Sequence, residues 1–101
     1  MIKHLVLFKL AEEAEGNSKA INSQIIKERL ENLKDVIPQI RKIEVSINYT
    51  DASVSNYDIV LDSEFDSLED LRYYSVHPEH IKVGEFIGKV KTDRAAIDYE
   101  F

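Results

Sequence analysis

The sequence has no cysteine and few glycines or prolines, with three Gly and two Pro in 101 residues. Without cysteine the chain has no disulfides, and a zinc or redox site built on thiolates is excluded. The three glycines, Gly16, Gly84 and Gly88, are too scattered to form a glycine-rich phosphate-binding loop. No serine stands in a G-x-S-x-G motif, so the sequence gives no support to nucleophilic catalysis by Cys or by such a Ser.

Positive charge is also scarce, because 13 Lys and Arg residues stand against 19 Asp and Glu, for a net charge of −6. An acidic chain is a poor ligand for phosphate backbones, and we expect no nucleic-acid partner. The longest stretch without Asp, Glu, Lys or Arg is seven residues, 20–26, whereas a membrane-spanning helix needs about 20 apolar residues. No signal-peptide pattern is visible, and we expect a cytoplasmic protein without a membrane partner.

The spacing of the apolar residues predicts one domain over residues 1–101, built from six elements. Alternation of apolar and polar residues predicts strands at residues 2–10, 41–49, 57–65 and 93–101. Helical spacing predicts helices over residues 19–36 and 68–90, the second one interrupted at His77-Pro78. The order β-α-β-β-α-β predicts a ferredoxin-like α+β fold, a four-stranded antiparallel sheet with its helices on one face.

The first predicted strand carries apolar residues on both of its faces. Val6 and Phe8 lie on one face, and Leu5 and Leu7 lie on the other. Helices can cover only one face of such a sheet, and a large apolar patch left in water usually marks an interface. A few exposed leucines are also ordinary on a monomer. We favour a homodimer in which two copies pack sheet against sheet.

Three side chains that can handle protons, His4, Tyr74 and His80, are expected to converge between the sheet and the helices. His4 shares the inner face of the first strand, and Tyr74 lies on the inner stripe of the short helix before the break. His80 lies on the inner stripe of the last helix, where Gly84 one turn later leaves space beside it. Histidine changes charge near neutral pH, so this set indicates an acid–base pocket. Each residue could equally be a hydrogen-bonded core side chain.

Other polar residues give weaker signals. His77 is interpreted as a helix cap, and the pair His77 and His80 lacks the H-E-x-x-H pattern of metalloproteases, so we expect no metal. No pattern indicates a cofactor. Arg94, at the start of the last strand, either anchors an anionic ligand or pairs with a nearby carboxylate, and the second role is the more common one.

The chain resembles the stress-responsive A/B barrel (Dabb) family over nearly all of its length. The resemblance rests on four segments: MIKHLVLFKL, IPQIRKIEVSIN, YDIVLDSEFDSLEDLRYYSVHPEH and EFIGKVKTDRAAIDYEF. It implies a dimeric α+β barrel, in which two ferredoxin-like sheets face each other. In a plant polyketide cyclase of this family a Tyr and a His act together as acid and base, and they match Tyr74 and His80. Its first-strand His matches His4, whereas its third-strand His falls at about Ile59 and has no counterpart here.

Two hypotheses on function follow. In the first, His80 is a general base, Tyr74 steers it or donates a hydrogen bond, and His4 polarises a carbonyl group. The substrate is then a small hydrophobic or aromatic molecule, in a pocket whose predicted lining is Phe8, Leu30, Val83 and Ile87. In the second hypothesis the chain is a non-catalytic stress-response or ligand-binding protein, and its own side chains can fill the core. A cavity that holds both histidine rings would favour the first.

Overall fold

Four strands pair into one antiparallel sheet in the computed structural model, which describes residues 1–101. The strands are β1 (Ile2–Leu10), β4 (Ile40–Ile47), β5 (Ile59–Phe65) and β6 (Lys91–Glu100), and their order across the sheet is β4-β5-β1-β6. A small hairpin of β2 (Glu13–Ala14) and β3 (Asn17–Ser18) lies within the segment that the sequence predicts as a loop. It turns at Glu15 and Gly16, both at positive φ, as a two-residue hairpin turn requires.

Three helices lie on one face of this sheet, at α1 (Lys19–Asn32), α2 (Leu68–Val76) and α3 (Pro78–Val90). Side chains cap all three, because Ser18, Ser67 and His77 accept hydrogen bonds from backbone N–H groups of the first turns. Pro78 stands in the first turn of α3, where its missing N–H costs nothing. The predicted ferredoxin-like fold is confirmed, and so is the helix cap at His77. None of the helices has the length and apolar character needed to cross a membrane.

Four of the element ends differ from the prediction by two to four residues, and the others agree within one residue. The first helix was expected to reach residue 36 but ends at Asn32, and a 3-10 turn (Leu33–Asp35) with a Val36–Leu33 backbone hydrogen bond of 3.1 Å continues it. Strand pairing between β4 and β5 ends at Ile47 opposite Ile59, which shortens both predicted strands. The last strand begins two residues early, because the extended Lys91 follows α3 directly and pairs with Leu10.

The hydrophobic core lies between the sheet and the helices. Its fully buried members include Val6 and Leu61 from the strands, Ile26 and Leu30 from α1, and Val90 from α3. The opposite side of the sheet has no helix over it. We call this side the outer face; it carries Lys3, Leu5, Leu7, Val60, Asp62, Glu64, Ala95 and Ile97.

Apolar residues form the centre of the outer face and ion pairs form its border. Leu5 is paired in register with Ile97, which is 57% exposed, and Leu7 is paired with Val60. Next to these apolar residues, the Nζ atom of Lys3 lies 2.8 Å from Oδ1 of Asp62 and 2.7 Å from Oε2 of Glu64. An apolar centre with a polar rim is the usual composition of a protein–protein interface.

Candidate functional site

A cavity of about 300 Å³ lies between the sheet and helix α3, at the lower end of the size range for small-molecule sites. Its apolar lining is Val6, Phe8, Leu30, Leu61 and Ile87. Its polar lining is His4, Ser75, His80, Lys91 and Arg94, and Gly84 completes the wall. A larger depression of about 400 Å³ is bordered by Leu7 and Val60 of the outer face, and it contains no histidine. The cavity beside α3 is therefore the better candidate for chemistry.

His4 enters the cavity from the central strand β1, and a carboxylate of the edge strand holds its ring. Alternation along β1 directs His4 to the same side as Val6, and strand pairing sets Asp98 of β6 directly opposite. Nδ1 of His4 contacts the carboxylate of Asp98, and only 13% of the His4 side chain is exposed. Because a carboxylate is an acceptor, Nδ1 of His4 carries the proton, and Nε2 is the nitrogen free to act on a ligand.

His80 enters from helix α3 and is held in a comparable way. Its Nδ1 donates a hydrogen bond of 3.1 Å to the backbone carbonyl of Ser75, at the end of α2. In the neutral ring Nε2 is therefore unprotonated, as a general base requires. Burial lowers the pKa of His80 below its usual value of 6.5, and nearby positive groups add to this effect. His80 is consequently neutral at pH 7.

Tyr74 lies beside both histidines but does not line the cavity. Its ring centroid is 4.3 Å from that of His80 and 6.3 Å from that of His4, and Phe65 packs on another side at 5.0 Å. The side chain is fully buried, and its hydroxyl has no hydrogen-bond partner. Burial also raises the pKa of the Tyr74 phenol well above its ordinary value, so it stays protonated. An unpaired buried donor of this kind costs stability and calls for a functional explanation.

We expect Tyr74→Phe to stabilise the protein. On folding, the Tyr74 hydroxyl loses its hydrogen bonds to water and gains none within the protein, and the substitution removes this cost. The expected gain in the free energy of unfolding is about 1 kcal/mol. Urea unfolding measures it, and Tyr73→Phe is the matched control, since the Tyr73 ring is 48% exposed and its hydroxyl can be hydrated. A loss of stability in Tyr74→Phe alone would mean that the hydroxyl has a partner in solution.

The structure brings together most of the predicted site residues and separates one. His4, His80, Phe8, Leu30 and Ile87 line the cavity as predicted. Val83 was expected to line it too, but this is wrong. Val83 is buried towards α1 and borders a separate depression between α1 and α3. Relative to His80 it lies about 60° round the helix on one side, whereas Gly84 lies about 40° round on the other.

Sequence reasoning missed Asp98 and favoured the wrong role for Arg94. Polar residues occupy both faces of β6, so alternation alone did not show that Asp98 shares a face with His4. Arg94 was expected to pair with a carboxylate, but it takes part in no ion pair, and its side chain lies at the cavity. Nowhere do three His, Asp or Glu side chains form a group that could hold a metal ion.

The fold and the cavity together define a small ferredoxin-like α+β protein with a histidine-lined pocket between its sheet and its helices. Residues 2–101 match the family model of the Stress Responsive A/B Barrel Domain, and the chain belongs to that family. The resemblance inferred from the sequence is therefore confirmed.

Several proteins are similar to this chain in sequence or in fold. The chain is 34% identical over 102 residues to the Arabidopsis thaliana stress-response A/B barrel domain-containing protein DABB1, covering 98% of this chain and 46% of that protein. The chain thus spans about half the length of this curated relative. A dimeric ferredoxin-like protein of unknown function from Bacteroides fragilis is 41% identical, with a TM-score of 0.88 over 99% of this chain and 95% of that one. A hydroxynitrile lyase from Passiflora edulis shares the fold alone, at 13% identity and a TM-score of 0.78 over 97% and 90% of the two chains.

Proposed function

We propose that this chain forms a homodimer in which each protomer binds a small apolar or aromatic molecule in the cavity and acts on it by acid–base chemistry. The observation that carries the proposal is the pair of histidines. Both line one cavity, and a protein acceptor holds Nδ1 of each ring. Each ring therefore keeps Nε2 for a ligand. Cytoplasmic location and the absence of a nucleic-acid partner stay predictions.

The three polar residues have different roles in this proposal. Nε2 of His80 removes a proton from the bound molecule, since burial keeps this ring neutral at pH 7. His4, whose Nδ1–H is held by Asp98, donates from Nε2 to the oxygen of a substrate carbonyl group when its ring carries both protons. Tyr74 packs on His80 and fixes the plane of its ring, and its unpaired hydroxyl is a further donor close to both rings.

The homodimer rests on the outer face and on a relative. The apolar centre formed by Leu5, Leu7, Val60 and Ile97 is too large to be left in water at no cost, and a second copy would cover it. The similar protein from Bacteroides fragilis is described as dimeric. Sheet-to-sheet packing leaves the cavity on the helix side of each protomer, so each one keeps its own site.

A second candidate function is storage or sensing of the same kind of molecule without a reaction. One observation favours it: the five apolar side chains that line the cavity are suited to holding a ligand whether or not a reaction follows. Binding alone therefore supports both functions, and only a proton-transfer measurement separates them.

A single methyl group added at Gly84 tests whether the cavity is the binding site. A Cβ atom built there meets nothing within 4 Å, so Gly84→Ala fits without strain and places a methyl at the cavity wall. We expect this variant to weaken binding of benzamide, a small neutral aromatic probe, by about tenfold, measured by ligand-observed NMR. Alanine should also stabilise α3 by roughly 0.8–1.0 kcal/mol through helix propensity.

Gly88→Ala is the matched control for this experiment. Gly88 lies one turn later on the same helix, has equally open surroundings, and does not line the cavity. It should give the same gain in stability and bind benzamide as the wild type does. Equal weakening by both substitutions, or by neither, would place the binding site elsewhere.

A further inference from the structure

Nearly all Lys and Arg side chains of this protein contact a group that is attractive to a positive charge, and three do not. Ten of the 13 Lys and Arg residues contact a carboxylate, a backbone carbonyl oxygen or an aromatic ring. Arg72, Lys91 and Arg94 make none of these contacts. In a chain with a net charge of −6 carboxylates are abundant, so unpaired cations stand out.

Two of the three unpaired cations line the same cavity. Lys91 and Arg94 both belong to its wall, and no Asp or Glu does. Of the carboxylates of β6, Asp98 is engaged by His4, and Asp93 accepts hydrogen bonds from the backbone N–H of Arg94 and the hydroxyl of Tyr57. Arg94 is paired in register with Phe8, whereas Asp98 is paired with His4, so the two residues lie four positions apart along β6.

We propose that the molecule bound in this cavity carries a carboxylate group, which Arg94 holds at the mouth while Lys91 adds positive charge. The inference rests on the proposed function, and it narrows the ligand class from small aromatic or apolar molecules to their carboxylic acids. The hydrocarbon body then lies against Phe8, Leu30 and Ile87. A guanidinium group is suited to this task, because its fork of N–H donors matches the two oxygens of a carboxylate.

The position of Arg94 also connects the anchor to the proposed chemistry. The positive charge of Arg94 is one of the charges that repel a proton on His80 and so lower the pKa of its ring. A carboxylate bound at Arg94 is therefore within the electrostatic range of His80. A molecule held at one end by Arg94 would extend along the cavity towards the two histidines.

Benzoate and benzamide test the proposal, because the two molecules have nearly the same shape and differ in charge. We expect the wild-type protein to bind benzoate about tenfold more tightly than benzamide at low salt, and this preference to shrink as salt rises. Arg94→Gln should lower the affinity for benzoate far more than that for benzamide, leaving only the small preference that Lys91 alone supports. Ligand-observed NMR titrations measure both affinities.

Arg72→Gln is the matched control, since Arg72 is the third unpaired cation and lies away from the cavity, beside Gln39 and Tyr73. It removes the same charge from the protein and should keep the benzoate preference. Equal binding of the two probes to the wild type, or an equal loss in both arginine variants, would overturn the carboxylate inference alone. Binding of neither probe would contradict the proposed function as well.

Discussion

Ile97→Lys should convert the proposed dimer to a monomer. Ile97 lies on the outer face in the edge strand β6, directly paired with Leu5 of β1. In a symmetric dimer each substitution appears twice, so two ammonium groups would be buried in an interface that excludes water. Burying an unpaired charge costs several kcal/mol, and we expect association to weaken more than about 100-fold. Light scattering coupled to gel filtration at micromolar concentration measures the mass directly.

Ile81→Lys is the control for this substitution, because it makes the same chemical change on helix α3. Ile81 is 46% exposed and Ile97 is 57% exposed, so the two positions start from similar exposure. The Ile81 variant should stay dimeric. A dimeric Ile97 variant together with a monomeric Ile81 variant would show that the helices, and not the sheets, form the interface.

The fold was largely readable from the sequence because its signals are local. The alternation of Val6 and Phe8 against Leu5 and Leu7 defines a strand with two apolar faces. Pro78 cannot continue the preceding helix, because its ring clashes with the previous turn and it has no N–H to donate. The sequence therefore predicts a helix boundary at His77-Pro78, and the structure has it there. The helix and strand ends were less accurate, since they depend on which partners the chain finds in the sheet.

The candidate site could be predicted only for residues whose side-chain direction follows from the periodicity of a strand or a helix. His4 and His80 follow the alternation of β1 and the inner stripe of α3, and both line the cavity. Asp98 was missed because the pairing of β6 with β1, which the sequence does not specify, is what brings it to His4. The unpaired state of Arg94 was unpredictable for a similar reason, because it depends on where every carboxylate of the folded chain lies. The roles of Asp98 and Arg94 therefore depend on contacts made in the folded chain and not on the local sequence pattern.

His80→Gln should abolish proton transfer while leaving the dimer and the cavity intact. Hydrogen–deuterium exchange at the carbon atoms beside the carbonyl of 1-phenylpropan-2-one, a small aromatic ketone, reports removal of a proton without requiring the natural substrate. General base catalysis is worth roughly 10²–10⁴-fold, and we expect the variant to lose an acceleration of that order. Glutamine keeps the polarity of the side chain and can still donate a hydrogen bond to the carbonyl of Ser75, but it cannot take up a proton at neutral pH.

The pH profile of this exchange identifies the base. Burial disfavours the charged ring, so the pKa of His80 in the folded protein lies below its usual value of 6.5. The neutral, active form therefore increases as pH rises, and the midpoint of the rise in rate should lie on the acid side of pH 6.5. His77→Asn is the control, since His77 is the other histidine of the HPEH segment, and asparagine can replace its cap on Glu79. That variant should retain the full rate. Exchange that persists in His80→Gln would remove His80 as the base, whereas probe binding without any exchange in the wild type would favour the non-catalytic function.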